Sequence, residues 1–82
     1  MSDENDVMST ADRLIYMANQ IAKFFHSQPK EKAAEGVAEH INKFWEPRMR
    51  AQLFEMTDAS TEGFDPLVIQ ALGDIRRPET QD

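Results

Sequence analysis

The sequence predicts an all-α protein: a small irregular bundle of three to four helices with disordered termini. Three observations predict it. Apolar residues recur at the three-to-four-residue spacing of a helix face, and no segment alternates with the period of a strand. Prolines at 29, 47 and 66 stand where helices begin or end. Eighty-two residues make one domain at most. That domain is expected over residues 9–73, between an acidic tail at 1–8 and a flexible tail at 74–82.

Residues 1–8 are polar and acidic and show no periodicity, which reads as a disordered tail. Ser9 with Asp12 three residues on fits a capping box in which Asp replaces the usual Glu. The first helix then runs to about Ser27. Its apolar stripe is Leu14, Met17 or Ala18, Ile21 and Phe25, widened by Ile15, Ala22 and Phe24. Pro29 stops this helix or opens the next. The second helix occupies about 30–45, with Ala33, Ala34, Val37, Ala38, Ile41, Phe44 and Trp45 on its apolar side. Its alanines allow another helix close. Gly36 costs about 1 kcal/mol against alanine in mid-helix, which points to close packing or to tolerance. Glu31, Glu35 and Glu39 form an acidic outer stripe.

Pro47 must divide the second helix from the third. Proline costs little at the first position of a helix, and it drives Glu46 towards extended geometry. The third helix runs from Pro47 to about Thr57, with Met49, Leu53, Phe54 and Met56 apolar. A turn-rich loop follows over Asp58–Gly63. Asp65 caps a short fourth helix that has Pro66 at its first position and Gly73 as its expected C-terminal cap.

The net charge is −6, and it sits mainly in the tails. Residues 13–73 carry seven basic and eight acidic residues. This balance argues against general nucleic-acid binding, which relies on positive charge to displace counterions. No apolar run approaches the ~20 residues of a membrane span. The acidic start is unlike a signal peptide, so a cytoplasmic location is expected. There is no cysteine, hence no disulfide, thiolate nucleophile or cysteine-based metal site. Neither His26 nor His40 sits in a His-x-x-x-His or Glu-x-x-His arrangement, and Glu39 beside His40 points to a different side of the helix, so both read as surface or rim histidines. No nucleophile–base set, phosphate loop or nucleotide fingerprint is present. Catalytic, cofactor-binding and metal-binding residues are therefore expected to be none.

The informative stretch is His40–Arg50. It holds the single tryptophan, a neighbouring phenylalanine, Pro47 and two arginines. Large rings such as Phe24, Phe25, Phe44, Trp45 and Phe54 usually build the core of a small helical domain. Yet Phe24-Phe25 and Phe44-Trp45 are adjacent pairs, and neighbours on a helix diverge by ~100°, so one of each pair tends to leave the core face. Tryptophan beside arginine is typical of protein interfaces, whereas arginine alone is ordinary solvated surface.

Met17-Ala18-Asn19-Gln20-Ile21 followed by Phe24-Phe25, then Phe44-Trp45-Glu46-Pro47-Arg48-Met49-Arg50, then Asp65-Pro66-Leu67-Val68, form a specific combination. Together they resemble the delta subunit of NAD-dependent, molybdenum-containing formate dehydrogenase, over about residues 12–73. The resemblance implies a non-catalytic accessory subunit of a soluble oxidoreductase complex. It would bind the large catalytic subunit and support assembly, cofactor loading or stability. The molybdopterin guanine dinucleotide, iron–sulfur clusters and flavin of such an enzyme would lie on other subunits, with none on this chain. Carried over by position, the expected partner-binding residues are Asn19, Gln20, Phe24, Phe44, Trp45, Pro47, Arg48, Met49 and Arg50. Docking is expected through the Trp45–Arg50 corner and the exposed edge of the first helix. Two other roles suit the same sequence: a transient maturation chaperone of that enzyme, or a self-associating helical regulator. Anion binding at the Pro47 helix start is a weaker alternative.

Overall fold

A computed structural model describes residues 9–78, and within them the chain is helical without a strand. The four helices are α1 (Thr10–Phe25), α2 (Lys30–Phe44), α3 (Pro47–Ala59) and α4 (Pro66–Ala71), and a 3₁₀ turn over Leu72–Asp74 follows. The acidic stretch 1–8 and the last residues, 79–82, lie outside the described residues.

The starts follow the expected chemistry. Ser9 caps α1, its hydroxyl accepting from the Asp12 amide at 3.0 Å. Pro29 is the cap residue of α2, and Pro47 and Pro66 open α3 and α4. Trp45 and Glu46 are both extended, so the chain turns sharply between α2 and α3. The ends depart from expectation in one place. Gly73 does not cap α4 but sits inside the 3₁₀ turn. The left-handed glycine is Gly63, φ 91°, in the α3–α4 loop.

α2 is the central element, packed against both α1 and α4. Ala33, Ala34, Val37, Ala38 and Ile41 of α2 are buried against Leu14, Ala18 and Ala22 of α1 and against Leu67, Val68 and Ala71 of α4. Alanines at these positions bring the backbones together. α3 closes the core with Leu53 and Phe54. Its Thr57 is buried too, with the hydroxyl donating back to the Phe54 carbonyl at 3.3 Å.

Two asparagines fasten the irregular segments. Asn19 on α1 donates from Nδ2 to the Gly63 carbonyl at 2.9 Å, and its Oδ1 accepts from the Asp65 amide at 2.8 Å. Asn42 on α2 does the same one segment later. It donates to the Asp74 carbonyl at 2.9 Å and accepts from the Arg76 amide at 2.7 Å. Residues 74–78, expected as part of a flexible tail, thus turn back onto the bundle. Ile75 is buried, and Arg77 stacks 4.1 Å from the Phe54 ring centroid beside Asp58. The burial of a lone isoleucine beyond the last helix has no periodic signature, which is why the pattern missed it.

Asp65 ties two helices together. Its Oδ1 accepts from the Leu67 amide at 2.8 Å, capping α4, and its Oδ2 accepts from His26 Nε2 at 2.8 Å, just past α1. Partial burial disfavours the charged carboxylate. The hydrogen bonds from His26 and Leu67, with the charge on His26, outweigh that and hold the group below its ordinary value of 3.8. A depressed folded value means a stabilising contribution present above 3.8 that is lost as pH falls through the folded value. In urea titrations at falling pH, Asp65→Asn is expected to keep the cap yet lose less stability than wild type below about pH 4. Parallel pH profiles would count against this linkage. Asn42→Ala, which removes two hydrogen bonds, is expected to destabilise the fold by about 1–2 kcal/mol, and an unchanged denaturation midpoint would refute that role.

Candidate functional site

The adjacent aromatic pairs divide as helical geometry requires. Trp45 is 5% exposed and belongs to the core, while Phe44 beside it is 64% exposed. Phe24 is 76% exposed, while Phe25 is half-buried. Phe24 is therefore not part of the inward stripe of α1 to which the sequence reading assigned it. Single exposed apolar side chains are ordinary, but contiguous ones mark surfaces that associate.

These rings are contiguous. Gly36 of α2 faces Phe25 of α1 so closely that a Cβ on the glycine would lie 2.5 Å from the ring's Cε1. The ring therefore rests on bare helix backbone. Phe24 meets Phe25 edge-to-face, centroids 5.1 Å apart. On α2, the His40 ring lies 4.8 Å from Phe44, and Lys43 Nζ stands 5.9 Å from the Phe44 centroid. Two neighbouring hollows result. One, about 300 Å³, is lined by Gln20, Ile21, Phe24, Phe25 and His40. The other, about 270 Å³, is lined by Phe25, Gly36, Glu39, His40, Lys43 and Phe44. They share Phe25 and His40. Met17 is exposed about two turns before Phe24 on α1, at the spacing of the same helical stripe.

The sequence-predicted site residues fall into three groups. Gln20, Phe24 and Phe44 lie on this aromatic face. Pro47 and Arg48 are exposed, but at the α2–α3 corner. The others turn inward. Trp45 is in the core, and Met49 is half-buried against it. Arg50 donates from Nε to the Arg76 carbonyl at 3.1 Å and from Nη1 to the Trp45 carbonyl at 3.3 Å. Asn19 commits both amide groups to the α3–α4 loop. The expected corner thus presents Glu46, Pro47 and Arg48 outward, because its large residues close the fold. His40, Ile21, Met17 and Gly36 complete the face, and none was among the expected partner-binding residues. The available signal was Met17, Ile21 and Phe24 in helical register beside a mid-helix glycine.

The chain has no cysteine, and among the described residues no three His, Asp or Glu side chains gather where they could hold a metal ion. Among the described residues no helix is long and apolar enough to cross a membrane.

The family model of the NADH-dependent formate dehydrogenase delta subunit FdsD matches residues 13–72. That span runs from the first turn of α1 into the 3₁₀ turn, and the chain belongs to this family. No curated protein matches it.

Gly36→Ala provides a direct test of the ring seat. Alanine favours the helix by about 1 kcal/mol, and half-buried Phe25 can move aside, so stability is expected to stay within about 1 kcal/mol of wild type. The NMR signals of the Phe24, Phe25 and His40 rings are expected to shift, and unchanged ring signals would contradict the contact.

Proposed function

We propose that this formate dehydrogenase delta subunit binds the large catalytic subunit through the α1–α2 aromatic face. By doing so it supports assembly, cofactor loading or stability of the active enzyme. The observation that carries the reading is the pair of exposed rings, Phe24 and Phe44, flanking continuous hollows on a chain whose family is a subunit of a larger enzyme. Interfaces draw most of their energy from a few large side chains that fill pockets and lose water on binding. Here the rings supply the apolar centre, and Gln20, Glu39 and Lys43 supply a polar rim.

In this reading the chain is an accessory subunit, and formate oxidation is carried by the other subunits. The enzyme is a cytoplasmic, molybdenum-containing formate dehydrogenase. Its molybdopterin guanine dinucleotide, iron–sulfur clusters and flavin sit on those subunits. The lack of cysteine on this chain supports that division, since iron–sulfur clusters need thiolate ligands.

Co-purification of the tagged chain with the enzyme tests the proposal. Wild type is expected to elute with the large subunit at a fixed ratio. Phe24→Ala/Phe44→Ala is expected to remain helical by circular dichroism, because both rings are exposed, and to bind about thirtyfold more weakly or worse. Full retention of the helical double variant in the complex would remove the aromatic face from the interface.

A further inference from the structure

Both polar groups of the Arg76 backbone are gripped, from opposite sides of the α2–α3 corner. The amide donates to Asn42 Oδ1 on the last turn of α2 at 2.7 Å, and the carbonyl accepts from Arg50 Nε on the first turn of α3 at 3.1 Å. The same Arg50 reaches the Trp45 carbonyl within the corner. One residue later, Arg77 lies over the Phe54 ring and donates from Nη1 to Asp58 Oδ2 at 3.3 Å, near the far end of α3. Ile75 joins the buried cluster that holds Trp45, Leu53 and Phe54. Residues 75–77 thus form a strap from the end of α2 along α3. The helix it crosses is the least firmly packed of the three long ones. α1, α2 and α4 pack directly on one another, whereas α3 forms no comparably close helix pair. It meets the core through Leu53, Phe54 and Thr57, with Met49 and Met56 half-buried beside them.

We propose that residues 75–77 are a latch for α3, and that latch and helix open together while α1, α2 and α4 stay packed. The bonds that Asn42, Arg50 and Asp58 make to the strap lie at the surface, and one buried side chain, Ile75, anchors it. Segments with few buried apolar contacts and solvent-exposed hydrogen bonds open at lower free energy than the cooperative core. Opening withdraws the Arg50 brace from the corner and bares Leu53, Phe54 and Ile75, which the closed latch covers. The latch therefore sets how much apolar surface the free subunit shows. The aromatic face on α1 and α2 shares none of these residues, so the device stands apart from the docking reading.

Hydrogen exchange of the full chain, read by NMR across low urea concentrations, tests the latch. The amides of Leu53, Phe54, Thr57 and Arg76 are expected to exchange through one shared opening. That exchange is expected to be about a hundredfold faster than at Ala34, Val37 and Ala38, with a weaker dependence on urea. Ile75→Ala is expected to speed the α3 and Arg76 amides by one common factor, about thirtyfold or more. Arg77→Ala removes only exposed contacts, so it is expected to give the same pattern at about threefold, and it serves where the isoleucine variant fails to fold. A single free energy and urea dependence for α2, α3 and the strap would make the bundle one cooperative unit and overturn the latch. Faster exchange at Arg76 with the α3 amides unchanged would mean that the strap frays without holding the helix, which overturns it equally.

Discussion

Two asparagine side chains fasten the α3–α4 loop and the segment after the 3₁₀ turn to the helices. Each amide bridges the carbonyl of one residue and the amide of the residue two further on, Gly63 and Asp65 for Asn19, Asp74 and Arg76 for Asn42. An amide side chain offers one acceptor and two donors, so it can stand in for the edge of a neighbouring strand. A short chain has few ways to satisfy backbone groups in loops, and unsatisfied ones are costly where water is excluded. The two asparagines sit inside helices where their propensity is poor. Their positions make sense only because the loops they hold return to the bundle. Through them, α1 fixes the start of α4, and α2 fixes the segment that buries Ile75.

The second constraint is the thinness of the core. Six of its buried members are alanines on α1, α2 and α4. Alanine brings backbones close but hides little apolar area, and hydrophobic stabilisation scales with that area. The chain buries Trp45, Leu53 and Phe54 to finish the core, yet leaves Phe24 and Phe44 in water. Burying either ring within a larger core would have added stabilisation. Keeping both outside, beside hollows floored by Phe25 and Ile21, is consistent with a subunit whose apolar surface is completed by another chain.

Much of this architecture was legible in the sequence. The positions of Pro29, Pro47 and Pro66 and of Ser9 and Asp65 marked the helix starts, because each changes the backbone's hydrogen-bonding chemistry locally. The split of each aromatic pair followed from helical geometry alone. The candidate face was legible only in part. Phe24, Phe44 and Gln20 lie on it, while Trp45, Met49, Arg50 and Asn19 serve the fold. Composition cannot separate these groups. An arginine that braces two carbonyls and one that faces solvent are the same letter, and the difference depends on where residue 76 returns. That return is a long-range event, and helical periodicity carries no trace of it.

The burial of Trp45 also determines what light can report. It is the single indole in the chain, held in the core with its carbonyl braced by Arg50. Its emission responds to the dryness of the interior and shifts when the bundle opens. The exposed rings of the aromatic face are phenylalanines and contribute little at tryptophan wavelengths. The molecule thus contains an optical gauge of its own integrity that is nearly blind to events on its surface. A partner that reddens or quenches this fluorescence has reached into the bundle itself.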